Sequence, residues 1–132
     1  MTDSLRSAIM RAVPRRDTSP EITVRKLLHS LGLRFRLHQK TLPGTPDIVL
    51  PRHRSVVFVH GCFWHRHDGC PRTTSPKTHR SFWQQKFERN IERDAEKNRD
   101  LRKLGWRVVV VWECETKSQE KLRKKLRRLF KV

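Results

Sequence analysis

No apolar run in the chain reaches the length that a bilayer-crossing helix needs, so no membrane span is expected. Met1-Thr2-Asp3-Ser4 leads into no secretory hydrophobic region, which points away from export. Acidic residues are scarce: 13 Asp and Glu stand against 31 Lys and Arg, a formal charge of +18. Cysteine is also sparse, and its count of three is odd. That argues against a closed disulfide framework and fits a reducing compartment, with metal ligation open. The apolar share is only 35%, so 132 residues suit one domain with one compact core.

No long acidic face offsets the positive field. Such a balance suits a ribosomal or architectural binder, a merely soluble basic surface, or a protein whose main task is to neutralise phosphates. The last reading is preferred, with nucleic acid as the partner.

Residues 3–12 place Leu5, Ile9 and Met10 among Arg6 and Arg11, and Pro14-Arg15-Arg16-Asp17-Thr18 breaks the pattern. Residues 1–18 therefore read as a short helix resting on the domain, or as a basic arm that orders on DNA with Met10 as a wedge. Residues 19–132 read as a single domain. Ser19-Pro20-Glu21 opens a helix, with Ser19 as cap, Pro20 at its start and Glu21 complementing the dipole. Ile22, Val24, Leu27, Leu28 and Leu31 give its apolar spacing, and Gly32 ends it.

Phe35 and Leu37 suggest a first strand. The turn at Leu42-Pro43-Gly44-Thr45-Pro46 delivers Asp47 to a short strand, Ile48-Val49-Leu50, which turns through 51–54 into a buried strand at 55–59. A long helical pattern runs from Ser81 to about Leu104; its charged middle, Glu88 to Asp100, is either solvated on one face or broken. Residues 106–112 carry the strongest strand signal, and 118–130 an amphipathic helix whose basic face is either solvent or a second phosphate surface. The order predicts an α/β domain, a mixed central sheet flanked by helices, with 55–59 and 106–112 parallel.

Between strand and long helix lies His60-Gly61-Cys62-Phe63-Trp64-His65-Arg66-His67-Asp68-Gly69-Cys70. Cys62, His67 and Cys70 follow a Cys-x4-His-x2-Cys spacing, and Cys114 follows the strand that ends near Trp112. Parallel strands would bring all four to one sheet edge. Soft thiolates with an imidazole favour tetrahedral Zn²⁺, and four protein ligands make a structural site. His65 or Asp68 can stand in for His67 on spacing alone, and Cys114 can instead be a buried thiol.

Asp47, beside the backbone of Val59 and the ring of His60, forms a hard-oxygen site for one or two Mg²⁺ ions, which bind and polarise phosphate. His65 can activate water and His60 can support it. Glu21 and Asp94 can orient a metal-bound water or a histidine ring. Phe63 and Trp64 either cap the core under the zinc or insert between base pairs, as suits a mismatch.

Pro46-Asp47, the block from His60 to His65, His67, Cys70, Phe82-Trp83, Asn90, Glu92-Arg93-Asp94, Leu104-Gly105-Trp106-Arg107-Val108 and Val111-Trp112-Glu113-Cys114 resemble the very short patch repair (Vsr) mismatch endonucleases, over about residues 6 to 130. The resemblance implies a restriction-endonuclease-like fold and strand-specific nicking 5′ to the thymine of a T·G mismatch arising from 5-methylcytosine deamination. It implies that Asp47 binds Mg²⁺ and that His65 is the base, supported by His60, with Asp94 behind and Glu21 near the metal waters. Cys62, His67, Cys70 and Cys114 would hold zinc, and Phe63, Trp64 and Met10 would intercalate.

The implied partner is mismatched double-stranded DNA met by a monomer in the bacterial cytoplasm, at the nucleoid. A cytosine-5 methyltransferase, a repair polymerase and a ligase would be functional associates. Two features depart from the familiar pattern. Val59 replaces a hydroxyl residue but keeps the backbone carbonyl, and Asp68-Gly69 makes the zinc loop one residue longer. The acidic-x-lysine pair of the broader nuclease superfamily is absent, with Phe58 and His60 near its place, so histidine would carry the chemistry.

Overall fold

A four-stranded sheet in the order β1-β2-β3-β4 organises the computed structural model, which describes residues 18–71, 73–74 and 76–132. The expected arm at 1–18, with Met10, lies outside the described residues apart from Thr18. The elements run α1 (Ser19–Ser30), β1 (Arg36–Leu37), β2 (Ile48–Leu50), a 3-10 turn (Pro51–His53), β3 (Ser55–His60), α2 (Arg80–Lys103), β4 (Arg107–Trp112), a second 3-10 turn (Glu113–Lys117) and α3 (Gln119–Phe130).

β1 and β2 pair antiparallel, as do β2 and β3, while β3 and β4 are parallel. This is the mixed sheet expected from the order of elements. All three residues of β2, and every residue of β3 except Val59, are buried, which is why they read as unbroken apolar runs rather than alternating ones.

Alternation decides which layer each residue joins. Ile48, Leu50, Val57, Val109 and Val111 meet Val24, Leu27 and Leu28 of α1 and Leu122, Leu126 and Phe130 of α3. Val49, Val56 and Phe58 point the other way, onto Leu101 of α2. Helices thus cover both faces.

Two local details differ from expectation, and a third settles an alternative left open. The first helix is capped by Thr18, whose Oγ1 accepts the Glu21 N–H at 3.4 Å, so Ser19 is already helical. A hydroxyl one position earlier leaves room for Pro20 within the first turn. Ile22 is exposed, because the buried stripe is Val24, Leu27 and Leu28, with Glu21 also buried. The long helix is unbroken through its charged middle; Glu92, Arg93 and Glu96 simply face solvent.

One close approach matters to the site. A Cβ on Gly44 would lie 2.7 Å from Lys97 Cδ, and Gly44 has φ +75. Only glycine lets the turn before Asp47 pack directly on α2. Among the described residues, no helix is long and apolar enough to cross a membrane.

Candidate active site and metal centre

Register brings the metal cluster together. His60 of β3 pairs with Trp112 of β4, so Cys62 and Cys114 each lie two residues beyond the same rung. The Cys114 N–H donates to Cys62 Sγ at 3.4 Å. His67 Nδ1 lies 3.7 Å from Cys62 Sγ and 3.4 Å from Cys114 Sγ. One donor atom from each of Cys62, His67, Cys70 and Cys114 lies within 4.8 Å of all the others.

Tetrahedral bonds of about 2.0–2.3 Å place neighbouring N and S donors roughly 3.5–3.8 Å apart, so the cluster fits a zinc ion. Three thiols with one imidazole leave no place for water, which makes the site structural. Burial pushes the Cys62 thiol up to about 12 and raises Cys114 as well. Such thiols ionise when a cation replaces the proton.

Loop contacts aim the ligands. The His67 N–H donates to the Cys62 carbonyl at 3.0 Å, and Thr73 Oγ1 donates to the His67 carbonyl at 2.7 Å. The His67 ring stacks on Trp112 with centroids 4.2 Å apart. On the Cys114 side, the Trp112 N–H donates to Glu115 Oε1 at 2.9 Å, and Lys125 Nζ holds Glu115 Oε2 at 2.8 Å. Of the alternatives left by spacing, His65 is engaged elsewhere and Asp68 is exposed, outside the cluster.

The second constellation is His60, His65 and Asp94. The two imidazoles stack with centroids 3.8 Å apart and planes 6° from parallel. Asp94 Oδ2, on α2, lies 2.6 Å from His65 Nδ1. Burial raises the Asp94 carboxyl, but the His65 hydrogen bond and the His65, His60 and Lys97 charges outweigh it and hold the carboxyl below its ordinary value. An ionised Asp94 accepts Nδ1–H and leaves Nε2 of His65 as the free basic nitrogen. Burial, then the neighbouring His65, lowers His60 to about 4, so His60 is neutral at physiological pH. Stacking on a neutral ring spares His65 a second adjacent charge.

The third is Glu21, His38 and Asp47. Asp47 sits one residue before Ile48, the first residue of β2, and its Oδ2 accepts the Val59 N–H at 2.7 Å. Burial, opposed by that hydrogen bond and aided by Glu21, raises the Asp47 carboxyl to about 6. The Val59 bond sets Asp47 beside the strand residue that precedes His60, so the two constellations are neighbours. Arg25 Nη2 donates to Glu21 Oε2 at 3.0 Å and lies 3.1 Å from His38 Nε2. Two neighbouring carboxyls, one of them raised toward neutrality by burial and by the other's charge, fit a hard divalent cation, whose charge would offset both.

His38 and Arg25 had no place in the sequence reading. The hairpin register was the available signal: Leu37 pairs with Ile48, and the His38 N–H reaches the Asp47 carbonyl at 3.2 Å.

Phe63 lies edge-on to Trp83 and Phe87 of α2, at 6.1 and 5.3 Å between centroids, and Trp64 lies 5.9 Å from Trp83. Lys86 Nζ lies 4.9 Å from the Trp64 ring centroid. Both aromatics are half-buried and dock on the helix beside the metal loop.

The family profile described as DNA mismatch endonuclease Vsr matches residues 1–72. Type II nicking enzyme V.XorIIP of Xanthomonas oryzae is 50% identical over 98% of this chain and 98% of its own length. Type II nicking enzyme V.NmeAIP of Neisseria meningitidis is 43% identical over 98% of this chain and 92% of its own. DNA mismatch endonuclease Vsr of Escherichia coli is 46% identical over 89% of this chain and 74% of its own. With a metal cluster and a histidine–carboxylate site at the shared ends of β3 and β4, this chain belongs to the Vsr family of DNA mismatch endonucleases.

Proposed function

We propose that the chain nicks one strand of a duplex 5′ to the thymine of a T·G mismatch, the product of 5-methylcytosine deamination, in a Mg²⁺-dependent hydrolysis. The observation that carries this reading is the 2.6 Å contact between His65 and Asp94, beside the Asp47 carboxyl. His65 takes a proton from water at Nε2 while Asp94 holds Nδ1–H and stabilises the imidazolium. The water oxygen bonds to phosphorus, the bond to the 3′ oxygen breaks, and that oxygen takes a proton from a solvent water, leaving a 3′ hydroxyl and a 5′ phosphate.

Asp47 and the Val59 carbonyl would hold the magnesium, with Glu21 near its waters. Bound there, magnesium supplies polarisation of the phosphate and stabilisation of the leaving oxygen. His60 packs His65 in place. Cys62, His67, Cys70 and Cys114 would hold the zinc and so fix the loop that carries His65. Phe63 and Trp64, with Met10 from the arm, would enter the stack at the mismatch, where a mispaired step costs less to open. In the free protein those two rings rest on α2, so insertion would exchange one aromatic contact for another. We take residues 19–132 as one nuclease unit that acts as a monomer in the bacterial cytoplasm, at the nucleoid. The methyltransferase, repair polymerase and ligase would act before and after it.

A second reading keeps the chemistry and changes the target: another mismatch or another flanking sequence. It is favoured by the names of V.XorIIP and V.NmeAIP, which specify nicking and no mismatch. A panel of mismatched duplexes with permuted flanks, read strand by strand, separates the two. T·G nicked well above all others supports the first, and equal nicking of several mismatches supports the second.

A further inference from the structure

The sheet edge opposite the chemistry carries a second concentration of positive charge. β3 and β4 begin there with Ser55 beside Arg107. α3 follows the ends of the strands and runs back, so its last residue, Phe130, meets the His53 ring at 5.4 Å and the Arg107 guanidinium at 5.0 Å. Five residue steps of β3 at about 3.3 Å each separate Ser55 at this edge from His60.

A concavity of about 390 Å³ opens here, lined by Arg54, Arg107, Lys131 and His53 among others. A second, shallower one is lined by Lys124, Arg127, Arg128 and Val132. Two of the guanidiniums are already held in place. Arg54 donates to the Leu104 carbonyl at 3.1 Å and lies 4.4 Å over Trp106, and Arg107 Nε donates to Ser55 Oγ at 3.0 Å.

Lys124, Arg127 and Arg128 recur at helical spacing, on the side away from the buried Leu122, Leu126 and Phe130, and the exposed Lys131 follows as the left-handed cap of the helix. Among the described residues, the one side-chain carboxylate paired with these six cations is Glu120, 3.6 Å from Lys124 with both side chains exposed, and Arg127 Nε donates to the Val132 backbone oxygen at 3.2 Å. An exposed pair of this kind neutralises little.

We propose that this face binds the phosphate backbone of a second duplex segment, so that one chain holds two stretches of DNA at opposite edges of its sheet. The ligand chemistry is a polyanion with phosphates at regular spacing, matched by cations along a helix and two fixed guanidiniums. The proposal rests on the chain acting on DNA and not on which mismatch it cuts. Its consequence is transfer between segments: the enzyme can hold one duplex while the catalytic edge samples another.

The test is co-capture. An immobilised mismatched duplex is loaded with the full-length protein, and retention of a fluorescent matched duplex is read across a salt series. Wild type retains the second duplex, with affinity falling steeply as salt rises. The triple variant Lys124→Gln/Arg128→Gln/Lys131→Asn reduces retention at least tenfold. It flattens the logarithmic salt slope by about 2.7, at roughly 0.9 for each phosphate that is no longer neutralised. Its nicking of a short mismatched duplex stays within twofold of wild type.

No retention by wild type would overturn the proposal. So would undiminished retention by the variant, since bridging would then come from a dimer of catalytic edges. Equal loss of short-duplex nicking in a folded variant would also overturn it, by assigning the cations to the first site. If circular dichroism shows the triple variant unfolded, Arg127→Gln/Arg128→Gln, at two exposed positions, is judged by the same criteria with a slope change of about 1.8. Because retention of matched duplex is read apart from nicking, failure to nick T·G bears only on specificity.

Discussion

Replacing Asp94 with Asn exchanges one oxygen for an NH₂ group at the most informative contact in the site. Asp94 Oδ2 lies 2.6 Å from His65 Nδ1, and the two side chains are 21% and 28% exposed. The short distance and the depressed Asp94 pKa mark a charge-assisted hydrogen bond. Asn loses that charge assistance, and its amide can donate to Nδ1, which would put the proton on Nε2 and remove the base. A hydrogen bond to a charged group is worth about 1.5–3 kcal/mol, equivalent to roughly ten- to 150-fold in rate. The partial exposure favours the lower half of that range.

Single-turnover nicking of an end-labelled mismatched duplex at saturating enzyme reads the step directly. We expect the loss in kcat with the Kd for the duplex within threefold, because the side-chain contact of Asp94 is to His65. A folded, metal-replete variant that nicks within twofold of wild type would refute the assignment of His65 as the base oriented by Asp94.

Cys114→Ser should abolish stoichiometric zinc in elemental analysis and cost on the order of 3–5 kcal/mol, or roughly 10–15 °C in Tm; retained zinc at wild-type Tm would contradict the four-ligand site. Asp47→Asn should abolish nicking while raising stability in magnesium-free buffer. In the folded protein Asp47 is raised to about 6 from 3.8, so the folded state holds the extra proton and stability falls as pH rises through that window. Above it the ionised carboxyl costs up to about 3 kcal/mol, which Asn removes; a thermal melt at pH 8 with no rise in Tm would count against this. His38→Ala removes the imidazole that Arg25 shares with Glu21, and a loss of about 1 kcal/mol should slow nicking roughly fivefold. Added Mg²⁺ should partly restore the rate, and a rate unchanged at limiting Mg²⁺ would leave His38 outside the site.

The sheet was legible because its central strands are buried on both faces. Ile48-Val49-Leu50 and Val56-Val57-Phe58 have no polar interruption, and no other element type suits such short apolar runs between turns. The parallel pairing of β3 and β4 followed from the helix between them, and with it the convergence of Cys62 and Cys114. The metal ligands were legible because thiols and imidazole are rare and their spacing is local for three of the four.

What could not be read depends on register and side-chain direction. His38 reaches Glu21 only because β1 pairs with β2 in one register and the chain then turns at φ 46. The choice of His67 over His65 as ligand is set by loop hydrogen bonds, and Trp112, which stacks on His67, looked like an ordinary strand aromatic. The cap falls on Thr18 rather than Ser19, a choice the sequence leaves open because both are competent caps. Phe63 and Trp64 dock on Trp83 and Phe87, a contact between elements that no periodicity within either one encodes.

The most direct measurement is strand-resolved nicking of a duplex panel that covers the matched pair and all mismatches in permuted flanks, with Mg²⁺ present and withheld. A single Mg²⁺-dependent cut 5′ to the thymine of T·G, an uncut complementary strand, and little cleavage of matched duplex are the expected result. Cleavage of both strands, equal cutting of matched duplex, or full activity without a divalent ion would contradict it.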